Sequence, residues 1–143
     1  MSLKDMLELK KKFASASTPD PKEMRGNYEV RLVTGILPDV RFFKHRKIMP
    51  DDVAIENNGQ GGYNEFLGKI RIGSFKISVV DSLLGDGQKV LKVNYNRPGN
   101  SFLVRPLNDE LKKLGEGYYL GRGVFVFGKF AFNSFYFSLK KEA

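Results

Sequence analysis

The 143-residue chain contains no cysteine and no tryptophan, and His45 is its single histidine. Without cysteine there can be no disulfide framework, thiol nucleophile or Cys-ligated zinc site. One histidine excludes multi-histidine metal centres, so no metal site is expected. No apolar run reaches the roughly 18 residues of a membrane-spanning helix. The first residues, Met1-Ser2-Leu3-Lys4-Asp5, lack the apolar core of a secretion signal. The expectation is a cytoplasmic protein without a membrane span. What is present is ordinary for a folded domain: 41% hydrophobic and 28% charged residues. That length predicts one domain, residues 1–143, large enough to fold without covalent staples. The net charge of +8 favours anionic partners without choosing among them.

Residues 2–16 read as a helix. Ser2 and Asp5 have capping-box spacing. Leu3, Met6, Leu7, Lys10, Phe13 and Ala14 follow a helical stripe, with Lys11 and Lys12 off it. Two prolines between Ser15 and Pro21 end the segment. Such a helix is expected to pack on the side or end of the following structure.

Everything after it reads as β. Candidate strands are Asn27–Val33, Val40–Ile48, Glu65–Ile72, Phe75–Val80, Lys89–Tyr95, Ser101–Arg105, Tyr118–Phe127 and Phe130–Leu139, each rich in β-branched or aromatic residues. Tight links are predicted at Gly73-Ser74, Gly85-Asp86-Gly87 and Gly128-Lys129. Asn57–Gly62 reads as a long loop. Pro106–Gly117 is expected to hold one helical turn, with Asn108 as its cap. Sequential antiparallel strands favour an all-β up-and-down barrel of about eight strands, because closure removes exposed edges.

The last two strands are apolar on both faces, which requires cover on both sides. The lumen supplies one cover, and the N-terminal helix or a partner chain supplies the other. A homodimer through these aromatic strands would satisfy the same demand.

Several constellations invite a chemical reading. The loops Gly59-Gln60-Gly61-Gly62 and Gly115-Glu116-Gly117 are followed by strands, not by the helix N-terminus that a phosphate loop needs. The acid pairs Asp51-Asp52 and Asp109-Glu110 read as solvated loop charges. His45 is the one imidazole that could serve as a base, kept neutral by its cationic neighbours, but no Gly-x-Ser-x-Gly elbow accompanies it. Alternation places Arg41, Phe43, His45 and Lys47 on one face and Phe42, Lys44, Arg46 and Ile48 on the other. Whichever face turns inward carries cations, which must pair with Glu29 or Glu65 or await an anionic ligand. Arg105 and Arg122 pose the same question.

Gly26-Asn27-Tyr28, just ahead of the first strand, resembles the Gly-x-Trp signature of lipocalins and their calycin relatives, with Tyr in place of Trp. The stretch through Thr34-Gly35-Ile36-Leu37-Pro38 is similar to uncharacterised lipocalin-like domains with a Gly-x-Trp-x-Gly start. So are Glu116-Gly117-Tyr118-Tyr119-Leu120-Gly121-Arg122 and Phe135-Tyr136-Phe137-Ser138-Leu139. The resemblance implies a barrel over residues 26–140 and a cup for a hydrophobic or amphipathic small molecule, with no enzyme activity. It implies that Tyr28 lies under the barrel floor against a basic residue, with Arg122 the first candidate and Lys140 the second.

The functional expectation is a non-catalytic binding protein for an amphipathic, anionic small molecule, with no cofactor. Arg105, Arg122 and His45 are expected at its charged end, and Tyr95, Tyr119 and Tyr136 along its wall. A nucleic-acid-binding β surface using basic and aromatic residues is the alternative, and a small-molecule enzyme in the same barrel is the third.

Overall fold

The β-branched and aromatic segments pair in chain order and close into a single barrel. The computed structural model describes residues 3–35, 44–50 and 62–143. Helix α1 spans Leu3–Ser15, and a short helical turn, Pro21–Met24, precedes the strands. These are β1 Gly26–Gly35, β2 Arg46–Met49, β3 Gly62–Phe66, β4 Ile70–Asp81, β5 Lys89–Asn94, β6 Leu107–Gly115, β7 Tyr118–Phe127 and β8 Phe130–Lys141. All neighbours are antiparallel, and β8 returns to pair with β1, with Tyr28 opposite Lys141 and Leu32 opposite Phe137. The expected all-β barrel with an N-terminal helix is the observed fold.

Two expected boundaries are corrected. Gly73-Ser74 is not a hairpin. β4 runs through it, and the reversal lies at Leu67–Lys69, where Leu67 and Gly68 take positive φ of 57° and 75°. Gly73 also has a positive φ of 69°, but it serves an irregularity within the strand, where its carbonyl accepts the Asn64 amide at 3.2 Å. Ser101–Arg105 is likewise no strand, since a turn occupies that stretch and β6 begins at Leu107. The helical turn expected after Asn108 is therefore strand. Leu107, Asp109 and Leu111 point inward, while Asn108, Glu110 and Lys112 point outward, so charges sit at alternating buried positions and mask the period of two. The first part of the expected strand Val40–Ile48, as well as Asp51-Asp52 and the loop from Asn57, lies outside the described residues. The turns at Gly85-Asp86-Gly87 and Gly128-Lys129 join the strands as expected.

The barrel is packed at one end. Met24, Tyr28, Met49, Leu91, Leu111, Tyr119 and Leu139 fill this floor. Tyr28 is fully buried with its ring edge-on to Tyr119 at 5.8 Å. The cation over Tyr28 is Lys141, 5.9 Å from the ring centre, rather than Arg122 or Lys140. Truncating Tyr28→Ala should cost about 3 kcal/mol in a urea unfolding experiment. A loss under roughly 0.5 kcal/mol would show that the ring does not hold the floor.

Outside the barrel, α1 covers the second apolar face of the terminal strands. Phe13 is fully buried against Val90, Leu120 and Tyr136, with Leu9 alongside. The buried stripe is Leu9 and Phe13 rather than Leu7, which is 49% exposed. Gly121 and Gly123 serve the inner face. A Cβ at either would lie 2.2 Å from the Phe137 or Phe135 ring, so only glycine lets those rings lie flat on the wall.

Candidate functional site: a cup with a polar floor

Above the packed end the lumen is open. A cavity of about 320 Å³ is walled by Val30, Leu32, Phe66, Ile72, Val104, Leu107, Phe135 and Phe137. His45, Lys47, Asn64, Tyr95 and Asp109 also border it. The residues reach it by alternation: His45 immediately precedes β2 and Lys47 lies two residues on within it, Asn64 is opposite Lys47 on β3, and Asp109 is on β6.

These five side chains form one hydrogen-bonded cluster. Lys47 and Asp109 are both 3% exposed and stand 3.0 Å apart. The ammonium donates to Asn64 Oδ1 at 2.8 Å and also to the Tyr95 hydroxyl. Tyr95 donates to Asp109 Oδ2 at 3.0 Å and accepts from Asn64 Nδ2 at 3.0 Å. Phe75, Tyr95 and Phe137 set their rings within 5.7 Å of the ammonium, a cation–π cage that helps offset its burial. Burial, then the charge of Asp109, pushes the Tyr95 hydroxyl well above its ordinary range, so it stays protonated and keeps donating.

His45 stacks on Phe66 at 4.4 Å and hydrogen-bonds Asn64 Oδ1 through Nε2 at 2.9 Å. Because Asn64 Oδ1 is an acceptor, the neutral ring carries its proton on Nε2 and leaves Nδ1 as its acceptor. Burial, followed by the neighbouring Lys47, lowers the His45 pKa from 6.5 to about 4. The folded state therefore favours the neutral ring. Its contribution is complete above about pH 6.5 and is lost as pH falls toward about 4. Between pH 7 and about pH 4.5, unfolding free energy should drop by about 2 kcal/mol from this group. His45→Gln should flatten that part of a urea-derived pH profile, and an unchanged slope would contradict the assignment.

Of the seven sequence-predicted residues, the cup brings together two, His45 and Tyr95. Tyr28 and Tyr119 belong to the packed floor end, where the Tyr119 hydroxyl approaches Glu23 at 3.5 Å. Arg105 is exposed and donates to the Asn100 carbonyl at 3.1 Å. Tyr136 and Arg122 face outward under α1, Tyr136 packing edge-on against Phe13 at 6.4 Å. Alternation along β7 decides this for Arg122, because its neighbours Gly121 and Gly123 are the ones that face the lumen.

The Arg122 site is a second buried cluster. Nε bonds Glu110 Oε1 at 3.0 Å, and the guanidinium also reaches Ser82 Oγ at 2.8 Å and Asp86 Oδ2 at 2.9 Å. Its central carbon, Cζ, lies 4.1 Å from the Phe13 ring centre. Burial alone would raise the Asp86 pKa, but hydrogen bonds from Arg122 and the Gln88 amide outweigh it and hold the carboxyl below its usual value. Glu110 is fully buried and takes Ser82 Oγ at 2.7 Å and the Leu83 amide at 2.8 Å. The Asp109-Glu110 pair is therefore not solvated. Its two carboxylates point to opposite faces of β6 and neutralise one cation each. Arg46 turns outward, pairing with Glu65 at 2.7 Å and with Glu142 at 2.7 Å.

Sequence reasoning left Lys47, Asn64 and Asp109 out of the site. The inward His45/Lys47 face called for a buried anion, but nothing local showed that β6 would supply it. Comparison with protein-family models, curated proteins and solved structures finds no match to this chain.

Proposed function

We propose that the barrel is a non-catalytic binding protein that holds one small hydrophobic or amphipathic molecule in this cup. The observation that carries the reading is an open, apolar-walled cavity ending on a buried polar cluster. Apolar walls with a few convergent polar groups are the ordinary make-up of a small-molecule site. The reading agrees with what the lipocalin-like resemblance implies, a ligand cup above a closed floor.

The cations expected to select an acid stand elsewhere, Arg122 under the helix and Arg105 at the surface. Lys47, which does border the cup, is matched by Asp109. Ligand affinity therefore rests on the apolar body. It should rise by up to about 0.8 kcal/mol for each added CH₂ until the cavity is full. Calorimetric titration with amphiphiles of increasing alkyl length tests this, and affinity flat with length would overturn it.

Nucleic-acid binding is the second reading. Its support is the β7–β8 tip, where Phe127, Phe130 and Phe132 are 53%, 78% and 48% exposed and flank Lys129. Exposed aromatics beside a cation can stack bases. The same face would serve a homodimer. A single-stranded oligonucleotide titrated at two salt concentrations separates the readings, because phosphate contacts give a steep salt slope that a cup lacks.

A further inference from the structure

We infer that the polar end of the ligand is an uncharged hydrogen-bond donor, a hydroxyl or a primary amide, rather than a carboxylate. The inference rests on the cup being a binding site and follows from counting the hydrogen-bonding capacity of its floor. The Nε2 proton of His45 goes to Asn64. The Asn64 amide spends its two protons on Gly73 O and the Tyr95 hydroxyl. The Tyr95 proton goes to Asp109. The Lys47 ammonium is directed at Asn64, Tyr95 and Asp109. Every donor of the cluster is thus directed at an acceptor of the protein itself.

Acceptors are not exhausted. The Asn64 carbonyl oxygen takes two bonds and the Tyr95 oxygen takes two, which fills both. Asp109 uses Oδ2 for both its partners, so Oδ1 remains to accept, as does His45 Nδ1. Among the described residues, no polar atom of this cluster is both sealed from the cavity and without a partner. Among the described residues, what the floor offers an incoming group is two acceptors and no donor.

Charge points the same way. Lys47 and Asp109 cancel, and His45 is neutral at physiological pH. A ligand carboxylate would meet acceptors only and face the Asp109 charge. A ligand ammonium would find acceptors but approach Lys47. A hydroxyl pays neither cost, since a donor placed on a buried carboxylate makes one of the stronger hydrogen bonds.

The test is calorimetry with straight-chain alkanols, alkanoates and alkylammonium ions of matched length, hexyl to dodecyl, at neutral pH. The alkanol is expected to bind roughly tenfold tighter than either ion of equal length. Asp109→Asn leaves Lys47 unmatched and should reverse the order in favour of the alkanoate. Alkanoate binding equal to or tighter than alkanol binding in the unmodified protein would overturn the head-group inference and leave the container standing. Failure of all three series to gain affinity with chain length would overturn the container itself. Should Asp109→Asn not fold, the comparison of alkanol with alkanoate in the unmodified protein still decides the inference.

Discussion

Arg122→Ala should cost about 3–5 kcal/mol of unfolding free energy, the range for breaking a buried ion pair by removing one partner. The guanidinium is 2% exposed and its partner Glu110 fully buried. Without Arg122, the Glu110 carboxylate keeps two donors, Ser82 and the Leu83 amide, but no countercharge. Asp86 loses its partner too, and Phe13 loses the cation over its ring. Domains of this size are stable by only about 5–15 kcal/mol, so this one change removes a large share. Arg122→Lys should recover little, because a point ammonium cannot serve Glu110, Ser82 and Asp86 with one planar fork. Urea unfolding followed by circular dichroism measures both variants, and a loss below about 1 kcal/mol for Arg122→Ala would show that the cluster is not fully desolvated.

Lys47→Met is expected to cost about 3 kcal/mol, at the lower end of the same range because Asp109 borders a cavity that water can enter. The stronger prediction concerns the pair. Lys47→Met with Asp109→Leu replaces both charges with apolar groups and should recover most of the single-variant loss, since buried pairs often do no better than apolar replacements. A double-mutant cycle reads the coupling directly. Additive losses would mean that the two groups do not sense each other, contrary to their 3.0 Å separation.

The turns at Gly85-Asp86-Gly87 and Gly128-Lys129 were legible in the sequence, because local turn chemistry and alternation both live within a few residues. β7 and its link to β8 came out at the expected limits for that reason. β6 did not. Its Asn108-Asp109-Glu110-Leu111-Lys112-Lys113 run favours helix or solvent locally, and it forms strand because Lys47 from β2 and Arg122 from β7 neutralise its two acids on opposite faces. Lys47 is far from Asp109 in sequence, and Arg122 comes opposite Glu110 only once β6 and β7 are paired as a hairpin. The candidate site failed in the same way. The inward turn of His45 and Lys47 followed from alternation, but assigning Arg122 to the lumen required knowing which face of β7 carries the glycines. Gly121 and Gly123 pair directly with Phe137 and Phe135 on the neighbouring β8, and the room they leave for those inward rings was the missing geometric cue.

The β1–β8 seam bears on how this chain must be made. During synthesis, seven strands can leave the ribosome before the segment that closes the ring exists. Until then both β1 and β7 carry unsatisfied edges of the kind that recruit other chains. The closing segment itself, Phe130-Ala131-Phe132-Asn133-Ser134-Phe135-Tyr136-Phe137-Ser138-Leu139, is aromatic, uncharged and free of proline, the composition of aggregation-prone strands. Its docking, rather than the strength of any one hairpin, is the event that separates a closed barrel from an open sheet, and the danger is kinetic: it lasts as long as β8 is late.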